Sequence, residues 1–256
     1  VALNGSLKIE ETRAVPGISA KLNTIAKIRG EYVIASKYDF WFLNADLSPK
    51  FHAAMDPWFS ANVLDLVGIT ALDKDAYVLM GSNKSLLRVR QNPEADDVQG
   101  WPNFTAGRSH IEAVGGLGRA RIDTERAKFS YIHSSATDGR YVFMATVPDN
   151  KNKKQFVISK ALMKDWMLSG EFVPTAEMLK KDRSLGELYV TGMVYEDGKL
   201  YAVSKNWNVL VVIDVAQEAV VEAWGLPEEL TDIRGLVKDG STFEVIDANR
   251  VVKLTM

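Results

Sequence analysis

The chain has 256 residues, of which 46% are hydrophobic and 25% are charged, and its formal net charge at pH 7 is −2. This length suits one large all-β domain or two ordinary domains, and the small net charge gives no electrostatic reason to expect a nucleic acid or an anionic membrane as partner. Because the sequence has no cysteine, it excludes disulfides, thiolate metal sites and cysteine nucleophiles. No apolar run approaches the roughly 20 residues of a transmembrane helix.

One short pattern recurs along the whole chain: an aromatic residue followed by small or branched apolar residues, directly after a turn signal. It occupies residues 31–36, 76–81, 140–145, 200–205 and 242–247. Such self-similarity is typical of a repeat architecture, in which each unit is a few strands long. We interpret these five segments as the second strands of five similar units.

The neighbouring segments complete each unit. Three of the turns before the aromatic strand read Asp-Gly, at residues 138–139, 197–198 and 239–240, a dipeptide that suits a two-residue hairpin because both turn positions need positive φ. Apolar third strands are predicted at residues 40–43, 86–89, 155–158, 209–213 and 251–254. Fourth strands are predicted at residues 51–54, 171–173 and 220–224.

The spacing of the aromatic positions 32, 77, 141, 201 and 243 favours a β-propeller. Two of the steps match a blade of about 40–45 residues and two are longer; the surplus falls in residues 96–126 and 160–186. We predict one domain over residues 1–256, an all-β propeller of five blades, with six as the alternative. A strand within residues 7–15 would pair with the last blade and close the ring. A β-sandwich is the competing fold.

One segment carries a resemblance to a known superfamily. Residues 209–215, which read VLVVIDV, followed by residues 220–224, which read VVEAW, resemble the repeat of bacterial YncE-like and SdiA-regulated-type β-propellers. The resemblance covers one blade clearly and four loosely, so it points to the superfamily and to no specific family. It implies a propeller fold, and such folds host sensors, scaffolds, lactonases and phosphatases alike.

Propellers place binding groups at the mouth of the central channel, where the inner strands begin. Alignment of the inner strands puts Asn23, Gly68, His133, Thr191 and Arg234 in one column. Converging polar groups around a small floor are what a ligand pocket needs, so we predict ligand-binding roles for Asn23, His133, Thr191 and Arg234. Solvation of a water-filled channel is the competing interpretation.

Two residues of this column have further alternatives. Arg234 suits a carboxylate or another anion because its planar fork binds bidentately, or it forms a structural ion pair with Asp232 or Asp65. His133 is one of three histidines and could act as a general base or simply hydrogen-bond within the channel.

The sequence predicts a binding or scaffolding module rather than an enzyme, because no set of nucleophile, base and orienting group survives inspection. Residues 107–111 open like a nucleophile elbow but lack its closing glycine. No catalytic residue and no cofactor are therefore predicted, and the expected partner is a protein or a small molecule. A start at Val1 and the absence of cysteine favour a periplasmic or secreted protein, with membrane contact only through a removed N-terminal anchor.

The alternative function is a metal-assisted hydrolase, similar to lactonases or phosphoesterases, at the same channel mouth. Its metal would be calcium, which prefers oxygen ligands. The candidate ligands are Asn23, Asp65, Glu187 and Asp232.

Aromatic residues fall into two groups. Tyr32 and its counterparts share one repeat position, which predicts packing between blades. Four of the six tryptophans lie outside that position and mostly in connections, and they are either partner contacts or buried under long loops: Trp58, Trp101, Trp166 and Trp207.

Overall fold

A computed structural model describes residues 3–28, 30–37, 39–54, 65–71, 76–91, 109–113, 120–121, 129–148, 157–164, 166–177, 179 and 188–256. Within these ranges all regular secondary structure is β. No helix among them is long and apolar enough to cross a membrane.

The strands in chain order are β1 (Gly5–Ser6), β2 (Lys8–Ala14), β3 (Thr24–Ile28), β4 (Glu31–Ala35), β5 (Asp39–Leu43), β6 (Pro49–Ala54), β7 (Leu66–Ala71), β8 (Ala76–Gly81), β9 (Ser85–Gln91), β10 (Ser109–Ala113), β11 (Ala120–Arg121), β12 (Phe129–Thr137), β13 (Tyr141–Pro148), β14 (Val157–Leu162), β15 (Leu168–Phe172), β16 (Gly192–Glu196), β17 (Lys199–Ser204), β18 (Val209–Asp214), β19 (Ala219–Gly225), β20 (Ile233–Asp239), β21 (Thr242–Asp247) and β22 (Arg250–Thr255).

These strands form five sheets, each built from strands that pair antiparallel in sequence order. The first sheet is β3–β4–β5–β6, the second β7–β8–β9 with β10 and β11, the third β12–β13–β14–β15, the fourth β16–β17–β18–β19, and the fifth β20–β21–β22. The predicted all-β fold and the single β-propeller are confirmed. The β-sandwich is wrong, because the five sheets present their first strands to one common centre.

The N-terminal segment joins the last two sheets. β1 pairs parallel with β19 at Gly5 and Trp224. β2 pairs antiparallel with β22 and thereby becomes the fourth strand of the fifth sheet. Residues far apart in sequence therefore complete two sheet edges, and each covered edge removes a row of unpaired backbone groups.

Strands also lie inside the two ranges predicted to be insertions. β10 and β11 fall within residues 96–126, and both pair with β9. β15 falls within residues 160–186 and pairs with β14. Each range therefore contributes outer strands to its own sheet, because β9 and β14 would otherwise be left as open edges.

The three Asp-Gly hairpins differ from one another. At Asp197 and Gly198 both φ angles are positive, +49° and +79°, and the two residues form the predicted two-residue turn between Glu196 and Lys199. The prediction is wrong for the other two. Asp239 pairs with Thr242, so that it ends β20, and the carboxylate of Asp138 accepts the N–H groups of Arg140 and Tyr141 in a longer turn.

The core consists of apolar layers between neighbouring sheets. One layer lies between the third and fourth sheets, another between the fourth and fifth, and another between the fifth and first. The repeated aromatic position contributes to these layers: Tyr201 lies 5.8 Å from Phe243, and Tyr77 lies 5.0 Å from Phe42, measured between ring centroids. The predicted packing of these aromatics between sheets is confirmed for these pairs.

Of the four tryptophans singled out in the sequence, two are buried and two lie outside the described residues. Trp166 and Trp207 are both buried, which decides their two alternatives in favour of burial. Trp58 and Trp101 lie outside the described residues.

Candidate functional site at the channel mouth

The first strand of every sheet lines one central channel. β3 contacts β7, β7 contacts β12, β12 contacts β16, β16 contacts β20, and β20 contacts β3. The five strands enclose a cavity of about 390 Å³, lined by residues of all five. We call the end at which these strands begin the channel mouth and the end at which they finish the far end.

Small residues narrow the channel just inside the mouth. Gly192 packs directly against the backbone of Gly235, and Gly235 packs against the backbone nitrogen of Ile25. Gly235 also has a φ of +73°, a conformation that L side chains rarely adopt. Gly68 leaves no room for a Cβ beside the hydroxyl of Ser135. At this level the backbones of β16, β20 and β3 therefore approach one another closely.

A cavity of about 330 Å³ opens on the mouth side. Its lining residues come from the first and second sheets and from β20: Lys21, Asn23, Lys37, Asp65, Val67 and Arg234. Two of the predicted ligand-binding residues, Asn23 and Arg234, therefore lie together in one cavity. Asp65, predicted as a ligand of the alternative metal site, lines it as well.

Irregular strand register shapes this level of the channel. The pairing of β7 with β8 shifts between Leu66 and Gly68, that of β12 with β13 shifts around His133, and that of β20 with β21 shifts between Arg234 and Val237. A bulge of this kind bends a strand and re-aims its side chains, and bulges are frequent next to functional sites. Three of the five inner strands thus bend at the mouth.

Because of the bulge in β7, the predicted column of inner-strand residues is wrong by one residue at Gly68. Gly68 lies one level deeper than expected, beside Thr24 and Ser134 in the channel lining, and Val67 occupies the mouth level beside Asn23 and Arg234. The sequence alignment missed this shift because it counted one residue per pleat, whereas a bulge adds an unpaired residue.

Asp232 holds two of the cations at the mouth. Its Oδ1 accepts the Nε–H of Arg234 at 3.1 Å, and its Oδ2 lies 2.9 Å from the Nζ of Lys21. Although burial alone would raise the pKa of Asp232, hydrogen bonds from Lys21 and Arg234 lower it overall. Its backbone N–H is held by Asp247, which is buried. The predicted ion pair of Arg234 with Asp232 is therefore present, and one carboxylate serves two cations.

His133 lies beside this network. Burial, and secondarily the charge of Arg234, lower the pKa of its imidazole, so the ring is neutral at pH 7. Its Nε2 is buried and has no hydrogen-bond partner in the described structure. The ring meets Tyr189 edge to face, with 5.3 Å between centroids, and Tyr189 is 46% exposed.

Thr191 has a different environment from the other three predicted residues. Its hydroxyl donates to the carbonyl of Ile233 at 2.6 Å, and its carbonyl accepts the N–H of Gly235 at 2.8 Å. It does not line the mouth cavity. Thr191 therefore joins β16 to β20 and supports the position of Arg234 indirectly.

The proposed metal ligands are only partly assembled. Asn23 and Asp65 share the mouth cavity, Asp232 is engaged by Lys21 and Arg234, and Glu187 lies outside the described residues. Among the residues that the structure describes, no three histidine or carboxylate side chains are grouped so that they could hold a metal ion.

Sequence reasoning missed two of the basic residues at the mouth. Lys21 lies two residues before Asn23, and Lys37 follows the end of β4. The signal for Lys37 was available in the hairpin topology, because the second strand of an antiparallel pair ends where the first begins.

The fold and the channel define the protein as a β-propeller. No protein-family model and no curated protein matches the chain. Among solved structures, it is similar to the glutaminyl cyclase of Myxococcus xanthus, with a TM-score of 0.66 and 10% identity over 97% of this chain and 95% of that one.

A second similar structure is the aldose sugar dehydrogenase of Streptomyces coelicolor in its PQQ-bound form. Its TM-score is 0.55, and its identity is 12% over 98% of both chains. At such identities these likenesses establish the fold alone.

Proposed function

We propose that the protein is a non-catalytic binding module that receives its ligand in the cavity at the channel mouth. In this proposal residues 1–256 form one domain, the five sheets are the blades of one ring, and β2 closes that ring. The pairing of β2 with β22 and the apolar layer between the fifth and first sheets support the closure.

The cavity at the mouth carries the proposal. It brings together an amide, two lysines, an arginine and a carboxylate from four segments of the chain. A concave site with a few convergent polar groups is the usual form of a ligand pocket. The bulges in β7, β12 and β20 fall at the same level, which supports a role in aiming side chains at this cavity.

The environment of His133 favours binding over catalysis. A general base must be oriented and must reach a substrate proton. Among the described residues, the ring has an edge contact with Tyr189 and the nearby charge of Arg234, and a neighbouring cation weakens a base. The metal-assisted hydrolase of the sequence analysis stays a prediction, since no contact of the described residues favours it.

A fragment screen by NMR tests this proposal. The full chain would be titrated with small aromatic and aliphatic fragments of all three charge types while the imidazole signals of His133 and His52 are followed. His52 is the internal control, because it stacks on Trp41 and pairs with Asp39 in the first sheet. We expect bound fragments to shift His133, to leave His52 unchanged, and to be recovered chemically intact.

Two outcomes would overturn the proposal. Fragments that bind without moving the signals of His133 would place the binding site elsewhere. Fragments that the wild type converts to products, but that Arg234→Gln leaves intact, would show that the mouth is catalytic.

A further inference from the structure

The charges at the mouth point to the chemistry of the ligand, an inference that rests on the proposed function. Two cations, Lys21 and Arg234, share a single carboxylate, Asp232. The cavity beside them is also lined by Lys37 and Asp65. A ligand carboxylate would give Lys21 and Arg234 a second acceptor at the edge of this cavity.

The geometry of Arg234 indicates which kind of anion the site would bind. A guanidinium has five N–H donors in one plane. The bond from its Nε to Asp232 uses one donor and fixes the direction of that plane. The fork is therefore oriented in advance, and such a fork matches the two oxygens of a carboxylate.

Lys21 adds a second, more mobile cation. It is tied to Asp232 at 2.9 Å, yet its side chain is 58% exposed. An ammonium group acts as a point charge on a flexible stem, so it can swing toward a second anion without disturbing the sheet. Asp232 thus positions both cations at the edge of the same cavity.

His133 and Tyr189 lie next to the cavity lining, since the charge of Arg234 acts on His133, and in this proposal they contact the uncharged part of the ligand. A buried imidazole Nε2 without a partner is a cost that a ligand hydrogen bond would remove. The exposed ring of Tyr189 lies against this imidazole and offers an apolar surface next to the charges.

We propose that the mouth binds a single carboxylate group, held by the guanidinium of Arg234 and the ammonium of Lys21, with the carbon skeleton of the ligand against His133 and Tyr189. The carboxylate belongs either to a small organic acid or to the C-terminus of a peptide. Both sources present the same planar anion.

Three probes of similar size test the charge: benzoate, benzamide and benzylamine. They carry a negative, zero and positive charge on the same ring. Dissociation constants would be measured from the shift of the His133 signals, with His52 as internal control. We expect benzoate to bind at least about tenfold more tightly than benzamide, the order of one charge-assisted hydrogen bond, and benzylamine to bind least.

Variants identify the residues responsible. Arg234→Gln should weaken benzoate binding about tenfold or more, and Arg234→Lys should restore it only in part, because a lysine lacks the planar fork. Lys21→Gln should weaken it by a smaller factor. The matched control is Arg140→Gln, which changes an exposed arginine in the turn before β13 and should leave binding unchanged. Thermal unfolding of each variant checks that it is folded.

A peptide pair separates the two sources of the carboxylate. A tripeptide ending in phenylalanine would be compared with its C-terminal amide. Tighter binding of the free acid than of both its amide and benzoate assigns the site to peptide C-termini. Equal binding of benzoate and the free peptide assigns it to carboxylates in general.

Some results would overturn the carboxylate proposal and leave the proposed binding module intact. If benzamide or benzylamine shifts His133 and binds as tightly as benzoate, the carboxylate is wrong while the binding module stands. If inorganic phosphate binds more tightly than benzoate, the single negative charge is wrong. If none of these probes shifts His133, the proposed mouth site itself is overturned. Should Arg234→Gln fail to fold, the ratio of benzoate to benzamide binding in the wild type decides.

Discussion

The two ends of the channel differ in how their charged side chains are paired. At the far end two lysines each have their own carboxylate and their own aromatic ring: Lys238 pairs with Glu196 at 2.6 Å over the ring of Tyr201. Lys27 likewise pairs with Asp239 over the ring of Tyr32. At the mouth, by contrast, Asp232 is shared by two cations.

This difference indicates which end of the channel stabilises the contacts between sheets. The far-end pairs connect separate sheets, since Lys238 and Glu196 lie on β20 and β16, and Lys27 and Asp239 lie on β3 and β20. Beside them, Glu244 of β21 accepts hydrogen bonds from Tyr32 of β4 and from Arg13 of β2. The paired charges at the far end therefore stabilise contacts between sheets, whereas at the mouth Lys21 and Arg234 share the single carboxylate of Asp232.

Removal of Glu244 should produce the largest effect, because its side chain is only 6% exposed and serves two sheets. Glu244→Ala would leave the hydroxyl of Tyr32 without its acceptor and would leave Arg13 with only the carboxylate of Glu11, at 3.8 Å. We expect the free energy of unfolding to fall by about 3 kcal/mol or more, measured by urea denaturation.

The matched control for this change is Glu10→Ala on the exposed outer strand. Glu10 lies 3.6 Å from Lys253, and the side chains of both residues are partly exposed, so its loss should cost under about 1 kcal/mol. Equal losses for the two variants would contradict the role given to Glu244.

Gly235→Ala should have the second-largest effect on stability. Gly235 lies in the narrow part of the channel and directly follows Arg234 of the mouth. A Cβ there would meet the backbone nitrogen of Ile25 at 2.5 Å, and the φ of +73° is unfavourable for alanine. We expect a loss of about 2–4 kcal/mol from strain and overpacking, measured by thermal or urea unfolding. Gly240→Ala is the control, since its φ is +60° with nothing within 4 Å of a new Cβ. It should cost only the strain of about 1–2 kcal/mol.

These particular residues show what the sequence could and could not predict. The hairpin at residues 197–198 and the third strand around Val211 follow local patterns of turns and apolar runs. The pairing of the N-terminal segment with β22 was predicted for a different reason, namely that the last repeat has only three strands and leaves an edge to be covered. Periodicity therefore predicted the β-propeller.

The site itself depends on features that periodicity does not contain. The bulges in β7 and β20 shift the register by single residues, so the predicted column placed Gly68 where Val67 lies. The sharing of Asp232 by Lys21 and Arg234 is a contact between segments more than 200 residues apart. A single sequence has no local signal for such a contact, because only the ring of sheets brings its start next to its end.

Alkaline pH should weaken the far end selectively. Burial, with the hydrogen bond to Glu244, raises the pKa of Tyr32 from 10.0 to about 12. A raised pKa means that the neutral phenol stabilises the fold fully below pH 10 and that this contribution is lost as the pH rises toward 12, by at most about 1.4 kcal/mol per pH unit. The wild type should therefore lose stability faster than Tyr32→Phe over that range, measured by urea unfolding at each pH. Parallel profiles for the two proteins would contradict this assignment.

The smallest effect on stability is expected at the mouth, from Lys21→Gln. The pair with Asp232 is short, but the lysine side chain is more than half exposed and the aspartate about one-third exposed, and such pairs contribute about 0.2–1 kcal/mol. Lys238→Gln is the far-end counterpart, with a side chain only 10% exposed and a carboxylate at 2.6 Å, so urea unfolding should show a distinctly larger loss for that variant. If Lys21→Gln destabilises the protein as much as Lys238→Gln does, the mouth holds the sheets together as the far end does. The contrast between a binding end and a stabilising end would then be lost, because a cation committed to the fold is not free to turn toward a ligand.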